Sequence, residues 1–227
     1  MAEPCPSLVD PARPLYLQSA QAGMLELRGE RSLPLQGQDG SVKVYLARHG
    51  QTMFNVVFGK TKQDPGIEDP PLTETGHAQS QELAEQFAQL DISRIIASPY
   101  TRALQTAHAV ANRLDVPMTV DANVRERTAY VCDVGTETPA LAADWPHLDF
   151  SHLNEIWWNR KEETIPAFHD RCAAFRCLIA AADDWDRVAV ITHWGVIRSL
   201  TGMRAGNAEL LRCDPRDPHP PLDETWP

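Results

Sequence analysis

The sequence predicts an α/β protein in which a mostly parallel sheet lies between two helix layers, a single-domain three-layer α/β/α sandwich. Three short apolar runs rich in β-branched residues, at 44–47, 95–97 and 188–192, are typical of buried strands. Between them lie segments with apolar residues at helical spacing, and this alternation is typical of parallel sheets. At 227 residues the chain is long enough for one such domain with a single core.

Composition sets the domain bounds that we expect. Residues 1–40 are rich in Pro, Gly and polar residues, which predicts an N-terminal tail or arm. The α/β domain is assigned to residues 41–213, because all of the strand and helix patterns fall there. Residues 214–227 are rich in proline and are expected to form a C-terminal tail.

Overall charge argues against several classes of protein. Hydrophobic residues make up 43% of the chain and charged residues 23%, as in ordinary soluble domains. A formal net charge of −10 disfavours a nucleic-acid partner, since binding to a phosphate backbone needs positive charge. No run approaches the length of a membrane span, and the N-terminus has no signal-peptide pattern. We therefore expect a cytoplasmic protein that binds neither nucleic acid nor membrane, and leave its oligomeric state open.

The five cysteines are scattered along the sequence. Cys172 and Cys177 fall on one predicted helix, and their spacing suits neither a zinc site nor a CxxC redox motif. All five are accordingly expected to be reduced thiols, as is usual in the cytoplasm.

Charged residues follow the ends of the predicted strands. Arg48 and His49 end the first run, His193 follows the last, and Arg102 lies shortly after the second. In open α/β sheets, ligands bind outside the carboxyl ends of the strands, so these side chains should share one edge. An arginine there can grip an anion, and a neutral histidine can act as base, metal ligand or nucleophile.

The segment after the second run predicts a helix start. Ser98 is a favourable N-cap and Pro99 a favourable first helical residue. Arg102 would then lie in the first turn, where the helix dipole also favours an anion.

Two segments are expected to shape the substrate pocket. Residues 56–71 contain several Pro and Gly residues and predict a long loop, and such loops are often functional. Residues 136–161 predict a short helix followed by a loop that covers the site. The identity of the substrate would depend on the shapes of these two segments.

Five motifs in order give a more specific indication. The strings RHGQTMFN, PLTETGHAQ, SPYTRALQTA, a glutamate within VRERTAY, and ITHWG resemble the signatures of the histidine phosphatase superfamily, in its phosphoglycerate-mutase-like branch. The resemblance runs from about Lys43 to Thr201, which is most of the chain.

That resemblance implies roles for particular residues. His49 would be the nucleophile that forms a phosphohistidine, and His193 the second catalytic histidine. His193 would also bind the phosphate, together with Arg48, Arg102 and Asn55. The expected substrate is a small phosphorylated molecule, and no metal or other cofactor is implied.

A departing alkoxide needs a proton, so the reaction also needs an acid. The resemblance places this acid at Glu126. Asp133, in the string CDVG, is the alternative.

Other functions are weighed against a phosphatase. A metal-dependent hydrolase is disfavoured, because Arg48 and Arg102 would repel the cation and carboxylate ligands are not evident. A non-catalytic phospho-ligand binding protein remains an alternative, although the full set of charged groups is present. A phosphoglycerate-type mutase is a further alternative, but the residues after Glu126, RTAYVCDVG, do not resemble the mutase pattern.

Overall fold

A five-stranded sheet forms the centre of the protein in the computed structural model, which describes residues 43–222. The spatial order is β3-β2-β4-β1-β5. The first four strands run parallel, and β5 pairs antiparallel with β1 at one edge. The strands are β1 (Val44–Arg48), β2 (Arg94–Ala97), β3 (Met118–Val120), β4 (Val188–Thr192) and β5 (Leu210–Cys213).

Helices connect the strands in the way the alternating pattern predicts. Their bounds are α1 (Met53–Thr61), α2 (Glu74–Phe87), α3 (Thr101–Leu114), α4 (Thr138–Asp144), α5 (Ile165–Ala180) and α6 (Trp194–Thr201). Short 3₁₀ turns lie at Ala122–Val124, Val131–Asp133 and Trp185–Arg187.

Side chains alternate between the two faces of the sheet, as the period of a strand requires. In β4, Ala189 and Ile191 join the core built with α2 and α3, whereas Val188 and Val190 join the core built with α5 and α6. Both faces are therefore buried beneath helices, which confirms the predicted three-layer α/β/α sandwich.

Strand register brings the two histidines together. Arg48 pairs with Thr192 across β1 and β4, so the next residue of each strand, His49 and His193, emerges at the same level. The backbone N–H of His49 donates to the Thr192 carbonyl at 3.0 Å and holds this alignment. The predicted convergence of strand ends at one edge is confirmed.

The loop predicted over residues 56–71 is wrong in its first half. Helix α1 covers Met53–Thr61, and it begins with a capping box in which Thr52 and Asn55 exchange side-chain and backbone hydrogen bonds. The helix is followed by its C-cap, Lys62, in the left-handed conformation. The prolines that suggested a loop all lie beyond this end, so they do not affect α1.

The predicted start of α3 is two residues early. The helix begins at Thr101 with Tyr100 as its N-cap, so Ser98 is not the cap and Pro99 is not the first helical residue. The Ser98 hydroxyl instead hydrogen-bonds His193. Arg102 still lies in the first turn, as predicted.

Residues 136–161 form the expected short helix, α4, followed by irregular chain. They do not cover the site, however, and here the prediction is wrong. Leu141, Phe150 and Trp157 are buried in the core beside α2 and α3. Their large apolar surfaces are better removed from water by the core than by a polar pocket.

The cysteine prediction is also wrong in part. Cys132, Cys172 and Cys213 are free thiols, but Cys177 is disulfide-bonded. Spacing along a sequence does not reveal which cysteines meet in space, and this explains the error. The tail predicted at residues 1–40 lies outside the described residues. Within residues 43–222, no helix is long and apolar enough to span a membrane.

Candidate active site

A hydrogen bond to the backbone of the next residue, Gly50, holds the His49 ring in one tautomer. The ring is buried, with 4% of its surface exposed, and its Nδ1 lies 2.7 Å from the Gly50 carbonyl oxygen. Since that oxygen can only accept, Nδ1 must carry the proton and donate it, which leaves the lone pair on Nε2. Burial, followed by the charges of Arg102 and Arg48, holds the pKa of His49 well below its usual value. The ring is therefore neutral and able to act as a nucleophile near neutral pH.

His193 lies beside His49, with 5.2 Å between the ring centroids. Its Nε2 and the Ser98 hydroxyl are 2.7 Å apart, and a hydroxyl proton donated to Nε2 would leave the ring proton on Nδ1. Nδ1 is buried and has no hydrogen-bond partner among residues 43–222. Burial and the charge of Arg102 lower the pKa of His193 as well. In that tautomer the Nδ1–H is a donor that a bound anion could satisfy.

Arg48 brings a positive charge that the described part of the chain leaves without an ion-pair partner. One of its Nη atoms donates to the Ala205 carbonyl at 3.0 Å, and its Nε is buried without a hydrogen bond in residues 43–222. Burial lowers the pKa of Arg48 to about 10; the charge of Glu126 acts against this shift, and the charge of Arg102 adds to it. The guanidinium stays protonated at neutral pH, so the site favours an anion.

Arg102 is positioned from two sides. One of its Nη atoms donates to the Cys132 carbonyl at 2.8 Å, and the other donates to the Asp133 carboxylate at 3.2 Å. A second carboxylate, that of Asp69, lies 3.9 Å from the guanidinium. Asp69 also accepts from the backbone N–H of Thr101 at 3.0 Å, which ties it to the start of α3.

Asn55 has its amide oriented by three donors. Its Oδ1 accepts from the backbone N–H and the hydroxyl of Thr52, at 3.0 and 3.1 Å, and from Asn207 Nδ2 at 3.1 Å. Asn207 also donates to the His49 carbonyl at 3.2 Å. With Oδ1 fixed in this way, Asn55 presents its NH₂ group as a donor at the edge of the cavity.

Glu126 lies at the N-terminus of α6. Its two carboxyl oxygens accept from the backbone N–H groups of Arg127 and Gly195, each at 2.9 Å. Removal of the carboxyl from bulk water, followed by the negative charge of Asp133, raises its pKa even though both hydrogen bonds act in the opposite direction. One edge of the side chain still borders the cavity. A carboxyl with a raised pKa at this place is suited to donate a proton.

Asp133 is almost completely buried, with 1% of its surface exposed. One carboxyl oxygen accepts from the backbone N–H groups of Ala129 and Tyr130 at 3.1 Å, and the other accepts from Arg102. Burial raises its pKa, whereas the charge of Arg102 acts against the rise. Because one of its oxygens is paired with the permanently charged guanidinium of Arg102 at 3.2 Å, Asp133 is better placed to orient Arg102 than to give up a proton.

These groups surround a cavity of about 440 Å³ at the carboxyl edge of the sheet. Five of the six site residues predicted from the sequence line it: Arg48, His49, Asn55, Arg102 and Glu126. The sixth, His193, is fully buried against His49. In the part of the chain that the structure describes, no group of three or more His, Cys, Asp or Glu side chains is arranged to hold a metal ion.

Three residues of the site were missed or misread from the sequence. Ser98 was interpreted as a helix cap, although it hydrogen-bonds His193. The sequence does not point to Asp69 or Asn207, because neither lies within one of the five motifs. Only the tertiary arrangement brings them to Arg102 and Asn55.

Curated relatives with similar sequences carry mutase names. A probable phosphoglycerate mutase of Enterobacter sp. (strain 638) is 36% identical over 85 residues, which are 37% of this chain and 38% of the relative. Phosphoglycerate mutase-like protein 4 of Arabidopsis thaliana is 27% identical over 164 residues, which are 70% of this chain and 69% of that protein. The chain thus spans well under half the length of the first of these relatives.

Solved structures share the fold. A mycobacterial glucosyl-3-phosphoglycerate phosphatase, in complex with VO3, aligns over 76% of this chain and 90% of its own, with a TM-score of 0.54 at 22% identity. The ecdysone phosphate phosphatase of Bombix mori, in complex with tungstate, aligns over 82% of this chain and 96% of its own, with a TM-score of 0.59 at 17% identity. The family model described as histidine phosphatase superfamily (branch 1) matches residues 44–213, most of the chain. This protein, with its two histidines at neighbouring strand ends, therefore belongs to the histidine phosphatase superfamily.

Proposed function

We propose that this protein is a phosphatase that hydrolyses a phosphomonoester through a phosphohistidine at His49, without a metal ion. The observation that carries the proposal is the fixed tautomer of His49. Its Nδ1–H donates to Gly50 at 2.7 Å, so a neutral Nε2 is available as the nucleophile. Two arginines that can bind a phosphate line the same cavity.

The proposed first step transfers the phosphoryl group to the protein. His49 Nε2 attacks phosphorus, and the bond between phosphorus and the alcohol oxygen breaks with its electron pair going to that oxygen. Glu126 donates its proton to this oxygen, so the alcohol leaves neutral and the carboxyl becomes a carboxylate. The raised pKa of Glu126 supports this assignment, because the acid must be protonated when the substrate binds.

The proposed second step returns the protein to its starting state. A water molecule attacks the phosphorus of the phosphohistidine, and the Glu126 carboxylate takes a proton from that water. The P–N bond breaks with its electron pair going back to Nε2, and inorganic phosphate leaves. In both steps Arg48, Arg102, Asn55 and the Nδ1–H of His193 would donate to the phosphoryl oxygens, where the negative charge lies.

A metal-independent reaction is supported by the charge of the cavity. Arg48 and Arg102 already supply positive charge where a metal would bridge the phosphoryl oxygens. A divalent cation placed between two guanidinium groups would be repelled by both.

The comparisons support a phosphomonoester as the substrate class. The two solved proteins are named as a glucosyl-3-phosphoglycerate phosphatase and an ecdysone phosphate phosphatase, in complex with VO3 and tungstate, which are oxyanions that suit a phosphate site. The curated relatives are named as probable phosphoglycerate mutase and mutase-like protein, which keeps a mutase as the second candidate. A mutase would use the same phosphohistidine, but it would pass the phosphoryl group to a second hydroxyl rather than to water.

The test is to trap the phosphorylated protein. Purified protein is mixed with ³²P-labelled aryl phosphate and quenched in alkali, where phosphohistidine survives and phosphoserine esters do not. We expect an acid-labile label on the peptide that contains His49, no label in His49→Ala, and full labelling in His77→Ala, which removes an exposed histidine of α2. Label on another residue would refute the nucleophile. Release of inorganic phosphate rather than transfer to added glycerate distinguishes the phosphatase from the mutase.

A further inference from the structure

Three aromatic side chains form one wall of the catalytic cavity. Phe54 and Phe58, one turn apart on α1, stack with 5.1 Å between their ring centroids. Tyr130, from the loop after Glu126, packs against both rings at 5.4 and 5.1 Å. All three line the cavity that holds His49, and we refer to them as the aromatic wall.

The aromatic wall is not part of the protein core. Helix α1 has no buried residue, and the three rings of the wall are only partly covered. Phe54 also directly precedes Asn55, which lines the same cavity and shares the Asn207 amide with the His49 carbonyl. We call the part of the cavity formed by His49, Arg48 and Arg102 its phosphate end. Apolar surface left accessible inside a binding cavity, next to the reacting groups, favours contact with an apolar part of the ligand.

The charges in the cavity are distributed unevenly. Arg48 and Arg102 lie with His49 at the phosphate end. Near the wall, Lys62 is exposed and stands over the Phe58 ring, with its Nζ 5.8 Å from the centroid. The Arg127 guanidinium is engaged by the Glu162 carboxylate at 2.9 Å and by the Glu163 carbonyl at 3.1 Å. The wall thus offers ring surface to the ligand. Of the two cations near it, Arg127 is already paired with Glu162, and Lys62 is exposed to solvent, where its charge is screened.

We propose that the aromatic wall receives the alcohol part of the substrate, and that the substrate is the phosphate monoester of an aromatic or bulky apolar alcohol. This inference rests on the proposed phosphatase function, because it assigns the group on the far side of the scissile P–O bond. Each ring of the wall contacts the other two, and Phe58 is the ring chosen for substitution because Phe54 adjoins Asn55, which is assigned to phosphate binding.

The experiment compares two esters whose leaving groups are both alkoxides, 2-phenylethyl phosphate and glycerol 3-phosphate. Both need protonation by the same acid, so their difference reports on contact with the alcohol part. We expect the native protein to favour 2-phenylethyl phosphate in kcat/KM by roughly tenfold to a hundredfold, the range typical of an apolar contact in a pocket. In Phe58→Ser the ratio of the two kcat/KM values should fall to within about threefold of one. Phe58→Leu, which keeps an apolar side chain, should give an intermediate ratio.

The matched control is Met53→Ser. Met53 is an apolar residue of the same helix, 45% exposed, and it lies outside the cavity lining. Its substitution should leave the ratio of the two kcat/KM values at the native figure, which separates the wall from general effects on α1.

Three results would overturn the inference. Equal kcat/KM for the two esters in the native protein would show that the wall does not contact the alcohol. An equal loss on both esters in Phe58→Ser would show that the ring only holds α1 in place. A preference for 3-phosphoglycerate that disappears in Lys62→Gln would show that the outer cavity binds an anion. In each case phosphate is still released, so the proposed phosphatase function stands. No release from any ester, nitrophenyl phosphate included, would refute that function and this inference together.

Discussion

Replacing Glu126 by glutamine tests the general acid directly. Both carboxyl oxygens of Glu126 accept from backbone N–H groups, those of Arg127 and Gly195, at 2.9 Å. Glutamine has the same shape but one oxygen and one NH₂ group, so one of the two backbone donors would face another donor. The substitution therefore removes the transferable proton and also disturbs one hydrogen bond.

The two effects differ in size and can be measured separately. Leaving one buried donor unsatisfied costs about 1–3 kcal/mol of stability, which unfolding in urea would detect. Loss of general acid catalysis typically lowers the rate about a hundred- to ten-thousandfold, provided that the leaving group needs the proton. An aryl oxide such as nitrophenolate leaves without one, whereas an alkoxide does not.

The assay is single-turnover phosphorylation of His49 with two substrates, nitrophenyl phosphate and glycerol 3-phosphate. In Glu126→Gln the rate with glycerol 3-phosphate should fall at least about a hundredfold further than the rate with nitrophenyl phosphate. Since both substrates use one pocket, general damage to the fold cancels in the comparison. The native rate with glycerol 3-phosphate should also fall as pH rises through the pKa of Glu126, which lies above its ordinary value of 4.5.

An equal loss on both substrates would refute the assignment of Glu126 as the acid. The matched variant is Asp133→Asn, because Asp133 is the alternative acid and lies in the same loop. If Asp133 acts only by orienting Arg102 and by raising the pKa of Glu126, its substitution should lower the rate with both substrates and shift the pH profile of that rate to lower pH. A loss confined to glycerol 3-phosphate, with an unshifted profile, would instead identify Asp133 as the acid.

Three other predictions follow from metal chemistry, burial and packing. Hydrolysis of nitrophenyl phosphate should survive exhaustive chelation, and a loss restored by a divalent ion would contradict the metal-free mechanism. The pKa of His49 is lower in the folded protein than in the unfolded chain, so the unfolded chain takes up the proton first as pH drops. The free energy of unfolding should therefore fall below pH 6.5, by up to about 1.4 kcal/mol per pH unit. His49→Gln should show a shallower slope in urea unfolding at several pH values. A Cβ at Gly76 would collide with the Gln51 carbonyl oxygen, so Gly76→Ala should cost about 1–3 kcal/mol in the same assay. Gly59→Ala, where a Cβ meets nothing within 4 Å, should instead gain up to about 1 kcal/mol within α1.

The central sheet and its polar edge could be predicted because local pattern and fold rules agree there. Strands β1, β2 and β4 are short apolar runs, and β1 and β4 are each followed by a histidine, His49 and His193. The rule that ligands bind at the carboxyl ends of parallel strands then places these residues together. Because Arg48 pairs with Thr192 across the two strands, the histidines that follow them, His49 and His193, lie at the same level.

Helix α1 could not be recognised in the same way, since it has no buried face to create a periodic pattern. Its start depends on a capping box between Thr52 and Asn55, and the family resemblance implies phosphate binding for the same Asn55. Asn55 can serve in both the helix cap and phosphate binding, because its Oδ1 accepts from Thr52 while its NH₂ group remains for a ligand. Contacts such as Asn207 with Asn55, 152 residues apart, depend on tertiary packing that no local pattern records.

The two arginines of the site are arranged for different tasks. Arg102 is paired with Asp133 at 3.2 Å, so its charge is largely compensated and its orientation is fixed before a ligand arrives. Arg48 has no ion pair among residues 43–222, and its lowered pKa records the penalty of burying this cation, which the charge of Glu126 offsets only in part. A bound phosphoryl group would relieve that penalty, so Arg48 mainly supplies positive charge, whereas Arg102 mainly supplies donors of fixed orientation. Asp133 joins this arrangement to the proton transfer, because the same negative charge that orients Arg102 also raises the pKa of Glu126.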